Sequence, residues 1–327
     1  MRVMVTGGSG FIGSHVVERL VANGHEPRIY DLVPPRSPCA RMVEAVIGDI
    51  CDVAGVRRAL RGCDAIVHLA AVADVNDAAR DPSHADLVNA RGTALLLQAA
   101  REAGVARVIY ASTIWVYGNG APTELLDEDA LLPAPDHFYT ATKLAGEMYC
   151  RAYEQLYGLE PTILRFGIPH GPRSREATVV ATFVGRALDG LALRIMGDGT
   201  QARQFVYVED LAEGVVSALV PHAAGRTYNL VGDEAVSVRE VADIVRRLVS
   251  DVPIVHVPSR PADLHRAEIS GARAWRELGW QPLTTFEEGV CRYTSWLAAT
   301  NVKPLVATVA STDGSAAAVL LQEPGAL

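Results

Sequence analysis

The chain has 327 residues, 49% of them hydrophobic and 21% charged, with a formal net charge of −8. That composition suits one large α/β domain with a smaller partner, and its sign excludes the overall field of a nucleic-acid binder. No apolar run approaches the ~20 residues needed to span a bilayer, and the opening MRVMVTGGSGFIG is not a secretory signal, so a cytoplasmic protein with no membrane partner is expected.

Short β-rich runs alternate with helical patterns through the first half. Strands are predicted at Arg2–Thr6, Pro27–Asp31, Glu44–Gly48, Ala65–Leu69 and Arg107–Ser112. Between them Ile12–Asn23, Val53–Arg61 and Leu87–Ala103 carry apolar positions at helical spacing. A helix over Tyr139–Tyr157 leads into a sixth strand, Pro161–Phe166. Such alternation, with near-continuous apolar strands, predicts a doubly wound parallel sheet of the Rossmann type over residues 1–167. After Gly171 the rhythm breaks, and residues 168–300 read as a smaller mixed α/β C-terminal domain. Parts of 204–231, around Gln204–Leu219 and Thr227–Val231, are expected to return to the large sheet. Residues 301–327 read as a flexible tail rich in small residues. Cys39, Cys51, Cys63, Cys150 and Cys291 are scattered and form no CxxC pair or zinc-like cluster, so reduced thiols and no metal are expected.

Gly7, Gly10 and Gly13 in TGGSGFIG follow the first strand directly and open the first helix. Missing side chains there let backbone N–H groups approach a pyrophosphate at the positive helix end. Glycines close many ordinary turns, but a strand before and a helix after make this pattern a dinucleotide fingerprint. Asp31 ends the second strand, 18 residues past Gly13. A carboxylate there bonds both ribose hydroxyls and repels a 2′-phosphate, which favours NAD over NADP; a turn aspartate before Pro34 and Pro35 is the alternative. Asp49, past the third strand, is either a partner for the adenine amino group or an ordinary turn residue. His68 reads as a satisfied core histidine at the end of a buried strand.

Tyr139 and Lys143, in HFYTATK, stand at i,i+4 on one helix face. An ammonium near a phenol stabilises the phenolate and lowers its pKa, as a tyrosine base requires. Ser112 and Thr113 end the fifth strand at the carboxyl edge, where open α/β sheets bind ligands. A hydroxyl there is placed to bond a reacting alcohol. Tyr-x-x-x-Lys alone usually marks a solvated helix face; with the glycine turn and the Ser/Thr pair it becomes specific.

With these residues the chain resembles the extended short-chain dehydrogenase/reductases, in particular the NAD-dependent nucleotide-sugar epimerases and dehydratases. The resemblance runs from Met1 to about Leu297, through TGGSGFIG, GDI at 48–50, HLAA at 68–71, NARGT at 89–93, ASTIWVYG at 111–118, YTATK, LRFGIPHGPR at 164–173, GDGTQARQFVYVEDLA at 197–212 and RPADLHRAEIS at 260–270. It implies NAD contacts at Gly7, Gly10, Phe11, Ile12, Gly13, Asp31, Asp49, Ile50, Leu69, Ala70, Ala71, Asn89, Ala111, Tyr139 and Lys143. Asn89 would also stabilise the active-site helix, and Lys143 would bond the nicotinamide ribose. Thr113, Tyr139 and Lys143 are the implied catalytic residues. Substrate contacts are implied at Ser112, Thr113, Tyr139, Ile168, Arg175, Arg203, Arg260 and Asp263, with the arginines at 203 and 260 gripping phosphates; each could equally be a surface charge. A homodimer built on the two long helices is a further expectation.

Members of this family begin alike, with Tyr139's counterpart taking a hydroxyl proton while hydride passes from C4 to NAD. The 4,6-dehydratases typically carry Asp-Glu after the Thr, and UDP-glucuronate decarboxylases usually have Glu at the second place. Here Ile114 and Trp115 stand there, with no titratable group, which leaves 4-epimerisation. Bulky Ile114 and Ile168 depart from the usual epimerase pattern, which would narrow the expected sugar pocket or alter its hydrogen bonding. Arg175 appears in GPRSR where UDP-glucuronate 4-epimerases carry an arginine for the C6 carboxylate; a planar guanidinium suits that role, and a solvated loop paired with Glu176 is the alternative. The leading expectation is UDP-glucuronate to UDP-galacturonate. Open beside it are a 4-epimerase or 4-ketoreductase of a neutral or deoxy UDP- or dTDP-hexose, and a non-catalytic NAD-binding sensor.

Overall fold

The structure, a computed structural model, describes residues 1–35, 37–118, 125–258 and 268–300. Arg260, Asp263 and the tail over 301–327 lie outside the described residues. The first strand, β1 (Arg2–Thr6), turns at Gly7, whose φ of 72° suits a residue without Cβ. There follow α1 (Phe11–Ala22), β2 (Glu26–Asp31), β3 (Glu44–Ile47), α2 (Val53–Ala59), β4 (Ala65–His68), α3 (Val75–Arg80) and α4 (Pro82–Ala85). A π-helical turn over Asp86–Arg91 runs into α5 (Gly92–Ala103). Next come β5 (Arg107–Thr113), β6 (Leu125–Leu126), α6 (Phe138–Tyr157), β7 (Glu160–Phe166) and β8 (Ile168–His170). The last part holds α7 (Val179–Leu188), β9 (Leu193–Met196), β10 (Ala202–Tyr207), α8 (Val208–Ser217), β11 (Thr227–Leu230), β12 (Ala235–Ser237), α9 (Val238–Leu248), β13 (Ile254–Val257), β14 (Glu268–Ile269), α10 (Ala272–Leu278) and α11 (Phe286–Thr300).

Seven parallel strands form the main sheet in the order β11-β7-β5-β4-β1-β2-β3. This is the doubly wound, Rossmann-type architecture that the strand–helix rhythm predicts. Every residue of β4 and β5 is buried, while edge strand β3 is mostly exposed, as expected when helices cover both faces of a sheet's centre. Strand alternation sorts the core: Val3 and Val5 face α1 and α8 with Leu20, Leu211 and Val215, whereas Met4 faces the other side with Ile66, Leu96 and Val108. A third core, with Val184, Leu193, Val241 and Val290, joins α7, α9 and α11.

Two segments differ from expectation. Residues 227–230 do return to the main sheet, but Gln204–Tyr207 does not. Because β11 occupies the edge of β7, β10 pairs instead with β8 (Phe205 opposite Ile168) and with β12; only its following helix, α8, packs back on α1. The predicted helix from Leu87 opens as a π turn, a form frequent at functional sites. No described helix is long and apolar enough to cross a membrane.

Behind β5 lies a buried ion pair. Arg165 on β7 donates from Nε and Nη2 to the Glu147 carboxylate on α6, at 3.0 and 2.8 Å, and both side chains are at most 1% exposed. Ser112 Oγ donates to the same carboxylate (2.6 Å), Arg165 Nη1 to Tyr117 Oη (2.8 Å), and Tyr117 in turn to Asn229 Oδ1 (2.8 Å). Glu147→Ala is expected to cost about 3–5 kcal/mol, because it strands a buried guanidinium, and urea midpoints read that loss. A double change of Glu147→Met with Arg165→Met should recover most of it; an equally unstable double variant would show that the pair is not the cause.

Candidate active site

The glycine turn is built for close backbone approach. A Cβ on Gly13 would lie 2.0 Å from the Gly7 carbonyl oxygen, and one on Gly7 would lie 2.8 Å from Ala70 N. Gly10, the N-cap of α1, meets nothing but Gly7 O, at 3.2 Å, and faces outward. Phe11 and Ile12 form the first turn of α1, and Ile12 packs on the core. Asp31 ends β2 beside this turn, where its Oδ2 accepts the Ser9 N–H (2.9 Å) and Oδ1 the Val33 N–H (3.3 Å). Its turn role is therefore real, and it leaves further acceptor capacity on each oxygen facing the cradle. Asp49 is exposed and holds the Cys51 N–H (2.8 Å), while Ile50 is core, packed on Gly92. Leu69, Ala70 and Ala71 leave β4 partly exposed, with Leu69 N bonded to Thr6 O. A cradle that any Cβ would fill, beside a carboxylate at the second strand's end, fits the pyrophosphate and ribose of NAD.

The candidate catalytic group gathers where β5 ends. Lys143 is buried and its Nζ donates to the Ala111 carbonyl (2.8 Å), 5.1 Å from the Tyr110 ring centre. Burial lowers its pKa to about 8, against the raising charges of Cys150 and Glu147. Tyr139, at the start of α6, keeps part of its surface open to the cleft; burial pushes its phenol up to about 12, while the charge of Arg175 and a hydrogen bond with Thr113 pull it down. The expectation that Lys143 lowers this phenol needs correcting. Its ammonium is turned onto Ala111, and the groups that act on Tyr139 are Arg175 and Thr113.

Ser112 is corrected as well. Successive side chains on a strand alternate faces, so Thr113 turns to Tyr139 while the Ser112 hydroxyl is spent on Glu147. Asn89 is turned inward. Its Nδ2 donates to Val72 O and Thr142 Oγ1 (3.0 Å each) and its Oδ1 accepts Val72 N–H (2.8 Å), so it ties the loop after β4 to α6 from inside. His68 is a core residue with Nδ1 on Thr6 Oγ1 (2.7 Å) and Nε2 on Thr93 Oγ1 (2.9 Å); burial, then the Lys143 charge, lowers its pKa to about 3.

Ile168 begins β8, beside β10. Arg175 pairs not with Glu176 but with Asp74 across the cleft, at 3.7 Å, and donates to Ala73 O at 3.4 Å; its side chain is 51% exposed. Arg203 lies over the Trp115 ring at 5.9 Å and donates to Ala202 O. Arg173, two residues before Arg175, is turned to α1, where Glu18 holds it. Sequence reasoning missed His137, which caps α6 through Thr140 N–H and stands between Trp115 and Tyr139 with ring centres 5.3 and 6.2 Å away. An imidazole in an N-cap place usually held by Ser, Thr, Asp or Asn was its one signal. Glu147 and Arg165 were also missed, although a charge inside the apolar run PTILRF demands a buried counter-charge.

The two glycines should fail differently. Gly13→Ala is expected to abolish the strand–turn–helix geometry and lower the melting temperature, whereas Gly10→Ala should melt near the parent yet release far less nucleotide on denaturation. Undiminished nucleotide, read by absorbance, in the Gly10 variant would remove that glycine from the coenzyme site.

Comparison with known proteins agrees with this geometry. Residues 3–231 match the family described as the NAD dependent epimerase/dehydratase family. UDP-glucose 4-epimerase of Mycolicibacterium smegmatis is 35% identical over 308 residues, 89% of this chain and 97% of that protein. The NAD complex of UDP-glucose 4-epimerase from Thermus thermophilus superimposes with a TM-score of 0.84 at 35% identity, covering 91% of this chain and 99% of the other. UDP-glucuronic acid 4-epimerase from Bacillus cereus, solved as a variant with a fluorinated UDP-glucuronic acid and NAD, gives 0.83 at 26% identity, covering 92% of this chain and 100% of the other. A dTDP-glucose 4,6-dehydratase from Streptomyces griseus is also similar, at 29% over 308 residues, 90% of this chain and 93% of its own length. With its glycine cradle and its Thr113–Tyr139–Lys143 group on a seven-stranded parallel sheet, the chain belongs to the NAD-dependent epimerase/dehydratase family of nucleotide-sugar enzymes.

Proposed function

We propose that the chain inverts the configuration at C4 of a nucleotide sugar, with UDP-glucuronate as substrate and UDP-galacturonate as product. When bound, NAD supplies a hydride acceptor that gives the hydride back within the same turnover. Tyr139 Oη takes the proton of the sugar's 4-hydroxyl and returns it after the ring has turned over. Thr113 steadies the phenolate by its hydrogen bond, and Lys143, anchored at Ala111 within its own helix turn of Tyr139, would bond the coenzyme's ribose. Residues 168–300 would hold the nucleotide, with Arg203 among its phosphate partners.

What carries this reading is the position of Arg175, whose positive charge acts on Tyr139 from the cleft mouth while its fork is engaged only loosely with Asp74. A C6 carboxylate approaching Tyr139 meets that fork, which matches it bidentately. After Thr113, buried Ile114 and the Trp115 ring offer no acid or base for removing water. His137 spends Nδ1 capping α6 and lies 3.5 Å from Asp136 by Nε2, which keeps it in place as a wall.

Incubation of the purified protein with UDP-glucuronate and UDP-glucose, followed by NMR of the C4 configuration, tests the reaction. Tyr139→Phe should retain nucleotide and lose roughly 10²-fold or more in turnover. Arg175→Ala should raise KM for UDP-glucuronate by about 10–150-fold and leave UDP-glucose unaffected. Because the Arg175 charge lowers the Tyr139 pKa, its removal should also move the acid limb of kcat/KM to higher pH. An unmoved limb with unchanged preference for the acidic sugar would take Arg175 out of the site.

The same chain is proposed to pair with a second copy through α6. Phe138, Met148 and Leu156 are 54, 50 and 70% exposed along one side of that helix, with Leu87 40% exposed nearby. Leu156→Glu should shift the sedimentation coefficient to that of a monomer; a parent that already sediments as a monomer excludes the pairing.

A further inference from the structure

Among the described residues, Arg173 is the one non-glycine with a left-handed backbone, at φ 67°. A residue with a Cβ adopts that conformation against its steric preference, and it persists where surroundings over-determine it. Here they do. The guanidinium forks onto Glu18 with Nη1 to Oε1 and Nη2 to Oε2, both at 2.7 Å, and Nη2 also reaches His15 Nδ1 at 2.7 Å. Arg173 Nε also lies 3.2 Å from His15 Nε2, which stands 3.0 Å from the Pro172 carbonyl, and because an arginine only donates, the ring accepts from it. His15 is buried, and its ring meets Phe11 edge-on at 6.2 Å. Burial, then the Arg173 charge, lowers its pKa to about 4, so it is the neutral ring that this arrangement uses. All three contacts lie on α1, the helix that opens at the glycine cradle. Two residues beyond Arg173 stands Arg175, the cation that acts on Tyr139.

We propose that Arg173 is a positioning residue: by locking the 171–175 turn onto Glu18 and His15 of the dinucleotide helix, it fixes Arg175 beside Tyr139. This rests on the reading of Arg175 as the partner of the sugar's carboxylate. The loop that meets the sugar is thereby referenced to the helix that meets the coenzyme, through Phe11, His15 and Arg173 in succession. A planar fork is required, because a lysine would supply one point charge where the lock uses Glu18 and His15 together.

The test compares Glu18→Gln and Arg173→Gly with the parent, each loaded with NAD. Both variants should expose the 171–178 segment to faster amide hydrogen exchange. Both should raise KM for UDP-glucuronate by about tenfold, the effect of roughly one weakened charge-assisted bond, with kcat and the KM for UDP-glucose changed far less. Glycine at 173 is compatible with the left-handed turn, so an Arg173→Gly variant with parental exchange and parental KM would show that the turn holds itself, and the proposal falls. Faster exchange with an unchanged KM, or a raised KM with unchanged exchange, also overturns it. If the parent inverts neither sugar, the C4 reading fails separately. Calorimetric binding of UDP-glucuronate and the exchange rate of 171–178 then still decide whether Arg173 sets the site.

Discussion

A guanidinium in the middle of a parallel sheet has to be answered, and how Arg165 is answered governs the rest of this molecule. Glu147 meets it with two hydrogen bonds, and that carboxylate also fixes Ser112 at the end of β5. A buried pair of this kind is weak evidence for stability, since hydrophobic replacements often do as well. Its geometric effect is larger. Glu147 lies one helical turn past Lys143 and two past Tyr139, so docking it on β7 and β5 sets how α6 sits over the sheet. Thr113, one residue after Ser112, then faces Tyr139.

Burial leaves the ionisable groups of this region leaning toward neutrality. Burial raises the Tyr139 phenol, lowers the Lys143 ammonium and keeps His68 neutral. Positive charge that favours the phenolate comes instead from the mouth, from Arg175 on a different part of the chain. Under the proposed reaction, proton transfer at Tyr139 and recognition of an acidic sugar would be linked through one guanidinium.

Arg175 owes its place to neighbours remote in sequence. Its loop follows Gly171 and Arg173, is anchored on α1, and faces Asp74 on the segment after β4. Three parts of the chain distant in sequence converge there. Ordering each of them costs conformational entropy, and the anchoring contacts of Arg173 and Asn89 meet that cost before any ligand binds.

Much of this was legible in local patterns. Apolar strands alternating with helices foretold the doubly wound sheet, and TGGSGFIG with Asp31 foretold the dinucleotide cradle, because strand period, helix period and the steric demand of a glycine turn are properties of neighbouring residues. Tyr139 and Lys143 share a helix face for the same reason. What local pattern did not contain was long-range pairing. It could not say that Ser112 would serve Glu147, that Asn89 would tie a loop to α6, that Arg173 would pair with Glu18, or that β10 would be kept from the large sheet by β11. Those outcomes depend on contacts between residues 17 to about 155 positions apart, where competing hydrogen-bond partners are chosen only when the chain closes on itself. The fold and the candidate residues Thr113, Tyr139 and Lys143 were therefore legible in the sequence, while the direction of each side chain and the charge felt by the Tyr139 phenol were decided by tertiary structure.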